Sequence, residues 1–116
     1  MGRYSRDYFD SVTIVAGDSA TIWSKRWIGM EGYAFALGAE VGDRSLWALV
    51  EFNVLINGVP VLDYGKIRDL IATADLMTAV EIYIPPYALI EMVATNGSGS
   101  DAVFIGRLKC KEGKME

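Results

Sequence analysis

The side chains of this chain that could carry chemistry are carboxylates, hydroxyls and a single thiol, Cys110, because the sequence contains no histidine. Histidine is the usual general base at neutral pH and the commonest metal ligand, and it completes most nucleophile pairs in hydrolases. A mechanism that uses only carboxylates, for example Glu81 and Glu91, stays open. Charged residues at alternating strand positions usually face solvent, however, so we predict no catalytic residue and no enzyme.

Three short motifs could bind ligands, and we interpret each as a turn. Residues 97–102 fit the relaxed dinucleotide pattern G-x-G-x-x-A, but residues 103–105 are strand-like where a phosphate cradle needs a helix N-terminus. Asn96 begins a glycosylation sequon, yet no secretory signal precedes it. Glu40 and Asp43 are too few oxygen ligands to hold calcium. The sequence therefore predicts no cofactor and no metal site.

A fourth motif, Asp18-Ser19-Ala20, resembles the active loop of retroviral-type aspartic proteases, which have a similar length and dimerise to pair two aspartates. That family has glycine directly after Asp-Ser or Asp-Thr so that the carboxylate can sit in a tight loop, and Ala20 stands in its place here. We therefore interpret Gly17, Asp18 and Ser19 as the turn of a first hairpin, between strands at residues 11–16 and 21–27.

Alternating apolar residues bounded by turn residues predict an all-β fold. The clearest strands span residues 80–84, 88–95 and 102–108, and the turns between them predict a β-meander. Asn57-Gly58 is the strongest two-residue hairpin signal. Further strands are predicted at residues 33–37, 46–56 and 59–62, and helical spacing of apolar residues predicts a short crossing helix within residues 64–77. About eight strands and one helix predict a two-sheet antiparallel β-sandwich, jelly-roll-like in architecture.

The length of 116 residues predicts one domain, which we divide into an N-terminal arm (1–10), a β-sandwich (11–110) and a charged tail (111–116). The 11 basic and 15 acidic residues disfavour nucleic acid, and no apolar run is long enough for a membrane span. The polar start without a secretion signal predicts synthesis in the cytoplasm. A hydrophobic share of 52% against 22% charged residues predicts apolar surface left for subunit contacts.

Aromatic residues are the candidates for those contacts. Tyr4, Tyr8 and Phe9 are predicted to anchor the arm on a neighbour, and Tyr87, after two prolines, is a further interface residue. Removal of residues 1–10 is then expected to weaken association and to leave the sandwich folded. Aromatic residues could instead form a sugar-stacking platform, although core or interface packing is favoured for them; they are Trp23, Trp27, Tyr33, Trp47, Tyr83 and Tyr87. Alternating cations at the C-terminus are interpreted as a solvated face; they are Arg107, Lys109, Lys111 and Lys114.

Residues 47–108, with the stretches VEFNVLINGVPVLDY and VEIYIPPYALIEMVATNGSGSDAVFIGRL, resemble the short single-jelly-roll structural proteins of bacterial viruses in pattern and spacing. These are minor capsid, decoration or cement proteins. The resemblance implies a virion structural protein on the outer shell, a homo-oligomer with a trimer favoured, and a major capsid protein as partner. The alternative is a carbohydrate- or receptor-binding sandwich of a phage fibre, for which a glycan is the expected ligand.

Overall fold

Eight antiparallel strands build the fold in a computed structural model, which describes residues 4–61 and 78–114. A 3₁₀ helix at Arg44–Leu49 precedes the fourth strand, and Asp43 caps it by accepting a hydrogen bond from the main-chain N–H of Ser45. The strands are β1 Ser5–Ile14, β2 Ser19–Arg26, β3 Gly32–Val41, β4 Val50–Ile56, β5 Val59–Pro60, β6 Thr78–Ile84, β7 Leu89–Asn96 and β8 Ala102–Glu112.

The strands form two sheets, which we name sheet 1 (order β1-β8-β3-β6) and sheet 2 (order β2-β7-β4-β5). The first strand pairs with the last, the second with the seventh, the third with the sixth and the fourth with the fifth. This is the pairing of one long hairpin wound around a barrel, which is the jelly roll. The predicted fold class, a two-sheet antiparallel sandwich of jelly-roll type, is confirmed.

The core lies between the two sheets and is filled by buried apolar side chains from both of them. In β7 and β8 the alternation is regular, because every second side chain is buried and those between are half-buried or exposed. Phe52 of sheet 2 packs against Phe104 of sheet 1, with 5.6 Å between ring centroids, and Trp27 is completely buried. The sandwich is therefore a closed apolar layer whose outer faces remain available for contacts.

The connections between strands alternate between two ends of the sandwich. The turn 85–88 precedes β7 and the loop 97–101 follows it, so these two segments lie at opposite ends, as the sequence predicted. Asn57 and Gly58 both have positive φ, as a tight hairpin turn requires, and they join β4 to β5 as expected. At the same end, the N–H of Tyr87 donates to the carbonyl of Gly29, which ties the 85–88 turn to the β2–β3 connection.

The prediction of an N-terminal arm is wrong for residues 5–10. They form the first half of β1, in register with β8 from Ser5 opposite Lys111 to Asp10 opposite Gly106. Backbone pairing along β8 holds this segment in place, although only Tyr8 of its side chains is buried. The expectation that the sandwich folds without residues 1–10 loses its basis, and β8 itself continues to Glu112, into the predicted tail.

Two predicted connections are also wrong, because sequence neighbours enter different sheets. Strands β1 and β2 do not form a hairpin, and β6, β7 and β8 do not form a meander, since β7 belongs to sheet 2 and its neighbours to sheet 1. Residues 46–49, predicted as strand, lie in the 3₁₀ helix. The predicted helix within 64–77 lies outside the described residues. Among the residues that are described, no helix is long and apolar enough to cross a membrane.

Candidate protein-interaction surface

Tyr4 and Tyr8, predicted as interface anchors, pack against the protein's own tryptophans. The Tyr4 ring meets Trp27 edge-on with 4.6 Å between centroids. The guanidinium of Arg6 lies 4.2 Å from the centroid of the same Tyr4 ring. Tyr8 is only 7% exposed and lies 5.2 Å from Trp23. Both rings thus extend the core at the edge of sheet 1, Tyr8 as a buried side chain and Tyr4 as a partly buried one.

The hydroxyl of Tyr8 is buried and has no hydrogen-bond partner among the described residues. Burial raises the pKa of Tyr8, and the neighbouring Tyr4 adds to this rise. The phenol therefore stays protonated at any physiological pH. A buried hydroxyl without a partner carries a desolvation cost. The hydroxyl therefore does not stabilise the fold, and the contribution of Tyr8 comes from the packing of its ring.

Phe9 is 61% exposed and lies on the outer face of sheet 1, as its alternation with Tyr8 requires. The guanidinium of Arg107 lies 5.8 Å from the centroid of the Phe9 ring. Arg107 also donates two hydrogen bonds to Asp7, at 2.9 and 2.5 Å, and these bonds lower the pKa of the Asp7 carboxyl. Of the three predicted anchors, Phe9 is therefore the most exposed.

Tyr87 occupies a tight turn in a conformation that tyrosine rarely adopts. The N–H of Ala88 donates to the carbonyl of Pro85 across 3.3 Å, and Tyr87 has φ of +58°, which is the third position of a type II turn. Glycine or asparagine usually fills this position. The guanidinium of Arg26 donates to the Tyr87 carbonyl at 3.0 Å and fixes the turn. The side chain is thereby held outward and is 58% exposed.

Other exposed apolar side chains lie at the same end of the sandwich as Tyr87. The Tyr87 hydroxyl lies 3.9 Å from the sulfur of Met30, which is exposed, as is Ile28 two residues earlier. Tyr83 is half exposed, and its hydroxyl donates to Glu31 at 3.2 Å. We name these four apolar residues the aromatic end surface: Ile28, Met30, Tyr83 and Tyr87.

The loop that carries Met30 is fixed by hydrogen bonds with Glu112 and Trp27. The carboxylate of Glu112 accepts hydrogen bonds from the N–H of Met30 at 2.5 Å and from the N–H of Tyr4 at 3.4 Å. The indole N–H of Trp27 donates to the Met30 carbonyl at 2.7 Å. The aromatic end surface is therefore preorganised, which reduces the entropy lost when a partner binds. Sequence reasoning missed Ile28 and Met30, although apolar residues on both sides of Gly29 in a predicted turn were a usable signal.

The residues considered for chemistry are not brought together. Glu81 and Glu91 lie on strands of different sheets, and the described residues contain no group of three or more metal-ligating side chains. Cys110 is buried, and that burial, with a smaller effect of Asp7, raises the pKa of its thiol to about 12. The side chain of Asn96 is buried in hydrogen bonds to the carbonyls of Ile14 and Ser100, as expected of a turn residue and not of a glycosylation site.

The aromatic residues considered for a sugar-stacking platform do not all reach the surface. Trp23 and Trp27 are both buried in the core, so they cannot stack on a ligand. Tyr33 and Tyr83 do reach the outer face of sheet 1, where they are direct neighbours on β3 and β6. No protein-family model, no curated protein and no solved structure matches this chain.

Proposed function

We propose that this protein is a structural protein of a bacterial virus, a decoration, cement or minor capsid protein that stabilises the shell through protein–protein contacts. The observation that supports the proposal best is the aromatic end surface on a rigid jelly roll. Fixed turns expose Met30 and Tyr87 side by side, and large exposed apolar groups of this kind favour contact with another protein. The resemblance of residues 47–108 to viral single-jelly-roll proteins supports the same assignment.

The composition of the aromatic end surface is that of an interface centre. Aromatic residues and methionine are enriched at protein interfaces, and charged groups lie preferentially at the rim. Here Arg26 and Glu31 border the apolar group, and both are already hydrogen-bonded to neighbouring parts of the surface. A partner could therefore bury Met30 and Tyr87 while Arg26 and Glu31 stay at the rim, where they remain at least partly exposed to water.

We propose two kinds of partner for this surface: further copies of the chain, with a trimer favoured, and a major capsid protein. The net charge of −4 fits a position on the outer shell, away from the genome, where attraction to phosphate is not required. In this location the sandwich braces the shell and the aromatic end surface makes the contact.

The experiment is to measure the mass of the purified protein by light scattering and its cosedimentation with shells of the virus that encodes it. Exchange of both Met30 and Tyr87 for serine is expected to weaken association about tenfold or more, because the centre of the interface is lost. The matched control is Val15→Ser, which also removes an exposed apolar side chain but lies in the connection after β1, at the opposite end. A protein that stays monomeric and binds no shell would contradict the proposal.

A further inference from the structure

A cation and two aromatic rings form an open corner on the outer face of sheet 1. The ammonium of Lys111 lies 5.6 Å from the ring centroid of Tyr33 and 5.3 Å from that of Phe35. The two rings are nearly perpendicular, with 67° between their planes and 6.4 Å between their centroids. Because Lys111 remains exposed, its ammonium can turn from the rings to a ligand without leaving the corner.

The strand register explains how this corner arises. Lys111 of β8 lies opposite Tyr33 of β3, and Tyr33 lies opposite Tyr83 of β6 on its other side. Phe35 is the extra residue of a β-bulge, since Ala34 pairs with Cys110 and Ala36 with Lys109. Tyr33 and Phe35 are both at least partly exposed and Ala34 between them is buried, so the two rings share the outer face of sheet 1 beside Lys111. Phe35 is 37% exposed despite its size.

Among the described residues, Lys111 differs from the other cations along β8 because Asp7, which lies near Arg107 and Lys109, does not pair with it. Arg107 is held by Asp7 through two hydrogen bonds, and Lys109 is close enough to contribute to the lowered pKa of Asp7. Within the described part of the chain, no carboxylate forms an ion pair with Lys111. Three ammonium donors, partly shielded by apolar rings, are thus available to an anion that a ligand supplies.

We propose that Lys111, Tyr33 and Phe35 bind an acidic sugar, a pyranose that carries a carboxylate. The carboxylate pairs with the Lys111 ammonium, and the C–H face of the pyranose packs on the aromatic rings, whose negative faces attract the weakly positive C–H groups. Hydroxyls of the sugar can bond to the Tyr83 phenol and the Glu31 carboxylate, which are joined to each other by a hydrogen bond of 3.2 Å. Tyr83 is the neighbour of Tyr33 on the adjacent strand β6. Of the aromatic end surface, the site uses only Tyr83, and it does not include Met30 or Tyr87, the two residues that we propose to contact the shell.

A nucleic acid strand fits this corner less well than an acidic sugar. A single strand needs a track of unpaired cations along its phosphates together with stacking rings. On the outer face of β8, Asp7 binds Arg107 and lies near Lys109, which leaves Lys111 as an isolated point of positive charge. The acidic net charge of the chain also opposes a polyanion. One carboxylate on a sugar ring matches one cation beside two rings.

The test is isothermal titration calorimetry of the purified full chain with a galacturonic acid hexamer and with its fully methyl-esterified form, which keeps the rings and removes the charge. We expect the acid to bind at least about tenfold more tightly than the ester, because the ester cannot pair with Lys111. The variant Lys111→Met retains the apolar stem, and it should lose about tenfold in affinity for the acid. The variant Phe35→Ala should lower the affinity for both the acid and the ester.

The matched control is Lys109→Met, which removes a cation from the same face of β8 and should change the affinity by less than about twofold. Circular dichroism of each variant verifies that the fold is retained, and Lys111→Met still decides the question if Phe35→Ala does not fold. The proposal is overturned if the acid does not bind, if acid and ester bind equally, or if Lys109→Met loses as much as Lys111→Met. Tighter binding of an oligothymidine than of the hexamer would also overturn it.

Discussion

The indole N–H of Trp23 in sheet 2 donates a hydrogen bond to the main-chain carbonyl of Gly106 in sheet 1, across 3.1 Å. The bond crosses the core and joins the two layers directly. Gly106 also leaves room for a neighbouring core side chain, because a Cβ atom there would lie 2.5 Å from the sulfur of Met92. Trp23 is 4% exposed, so both partners of the bond are shielded from water. A single tryptophan thus supplies both core volume and a polar link between the sheets.

We predict that Trp23→Phe lowers the free energy of unfolding by about 2–4 kcal/mol, because it removes this buried hydrogen bond and creates a cavity. Urea denaturation measures the change. The control Tyr83→Phe removes an exposed hydroxyl from an aromatic ring and should change stability by less than about 0.5 kcal/mol. Equal losses in the two variants would show that the bond between the sheets contributes nothing.

The sequence predicted the strands well where apolar alternation was strong, and failed where charge interrupted it. β7 and β8 bury every second residue, so their pattern is visible without a structure. β1 is an edge strand, and Arg6 and Asp10 lie on the same side of it as the buried Tyr8. Its first half therefore shows no apolar alternation and resembles an irregular segment. Charges at core-facing positions protect an edge from pairing with other chains, and they also hide the strand from periodicity.

The order of the strands could not be predicted from turns between neighbours. A short turn favours a hairpin, but in a jelly roll most consecutive strands belong to opposite sheets. The same limit applies to the interaction surface. Periodicity cannot tell whether Trp27 and Tyr4 face the core or a partner. It also cannot show that Phe35 lies beside Lys111, because that contact depends on the register of β3 with β8.

Asn96 is the polar centre of the end of the sandwich opposite to Tyr87. Its amide donates to the carbonyls of Ile14 and Ser100 at 2.9 and 2.8 Å, and its side-chain oxygen accepts from the N–H and the hydroxyl of Ser98. We predict that Asn96→Ala costs about 2–4 kcal/mol, because several buried groups lose their partner together. Chemical denaturation measures it. Ser100→Ala, whose hydroxyl makes none of these bonds, should be nearly neutral; a comparable cost there would contradict the role assigned to Asn96.

The ion pair between Asp7 and Arg107 predicts a pH-dependent contribution to stability. Hydrogen bonds from Arg107 lower the pKa of Asp7 below its ordinary value of 3.8, so the folded state binds the proton less readily than the unfolded state. The contribution is complete above the ordinary carboxyl range and is lost as the pH falls through the lowered pKa of Asp7. Both side chains are more than a third exposed, so solvent screening limits it to about 0.5–1 kcal/mol.

The measurement is urea denaturation of the protein and of Asp7→Asn between neutral and strongly acidic pH. The difference in unfolding free energy should be constant above about pH 5, shrink at lower pH, and decrease in high salt. Asp18→Asn serves as the control, since the hydrogen bonds seen for Asp18 use its main chain. A difference that grows as the solution becomes more acidic would have the wrong sign for a lowered pKa.

Tyr87 separates stability from the proposed contact with a shell. At φ of +58°, a tyrosine side chain is strained against its own backbone, and asparagine tolerates this conformation better. We predict that Tyr87→Asn stabilises the fold by about 0.5–1 kcal/mol relative to Tyr87→Ala, which keeps the backbone strain. Both variants remove the ring beside Met30, so both should weaken cosedimentation with shells to the same extent. Thermal unfolding and cosedimentation are measured on the same samples. An asparagine variant no more stable than the alanine variant would argue against strain at this turn, and retained shell binding would argue against Tyr87 as part of the contact.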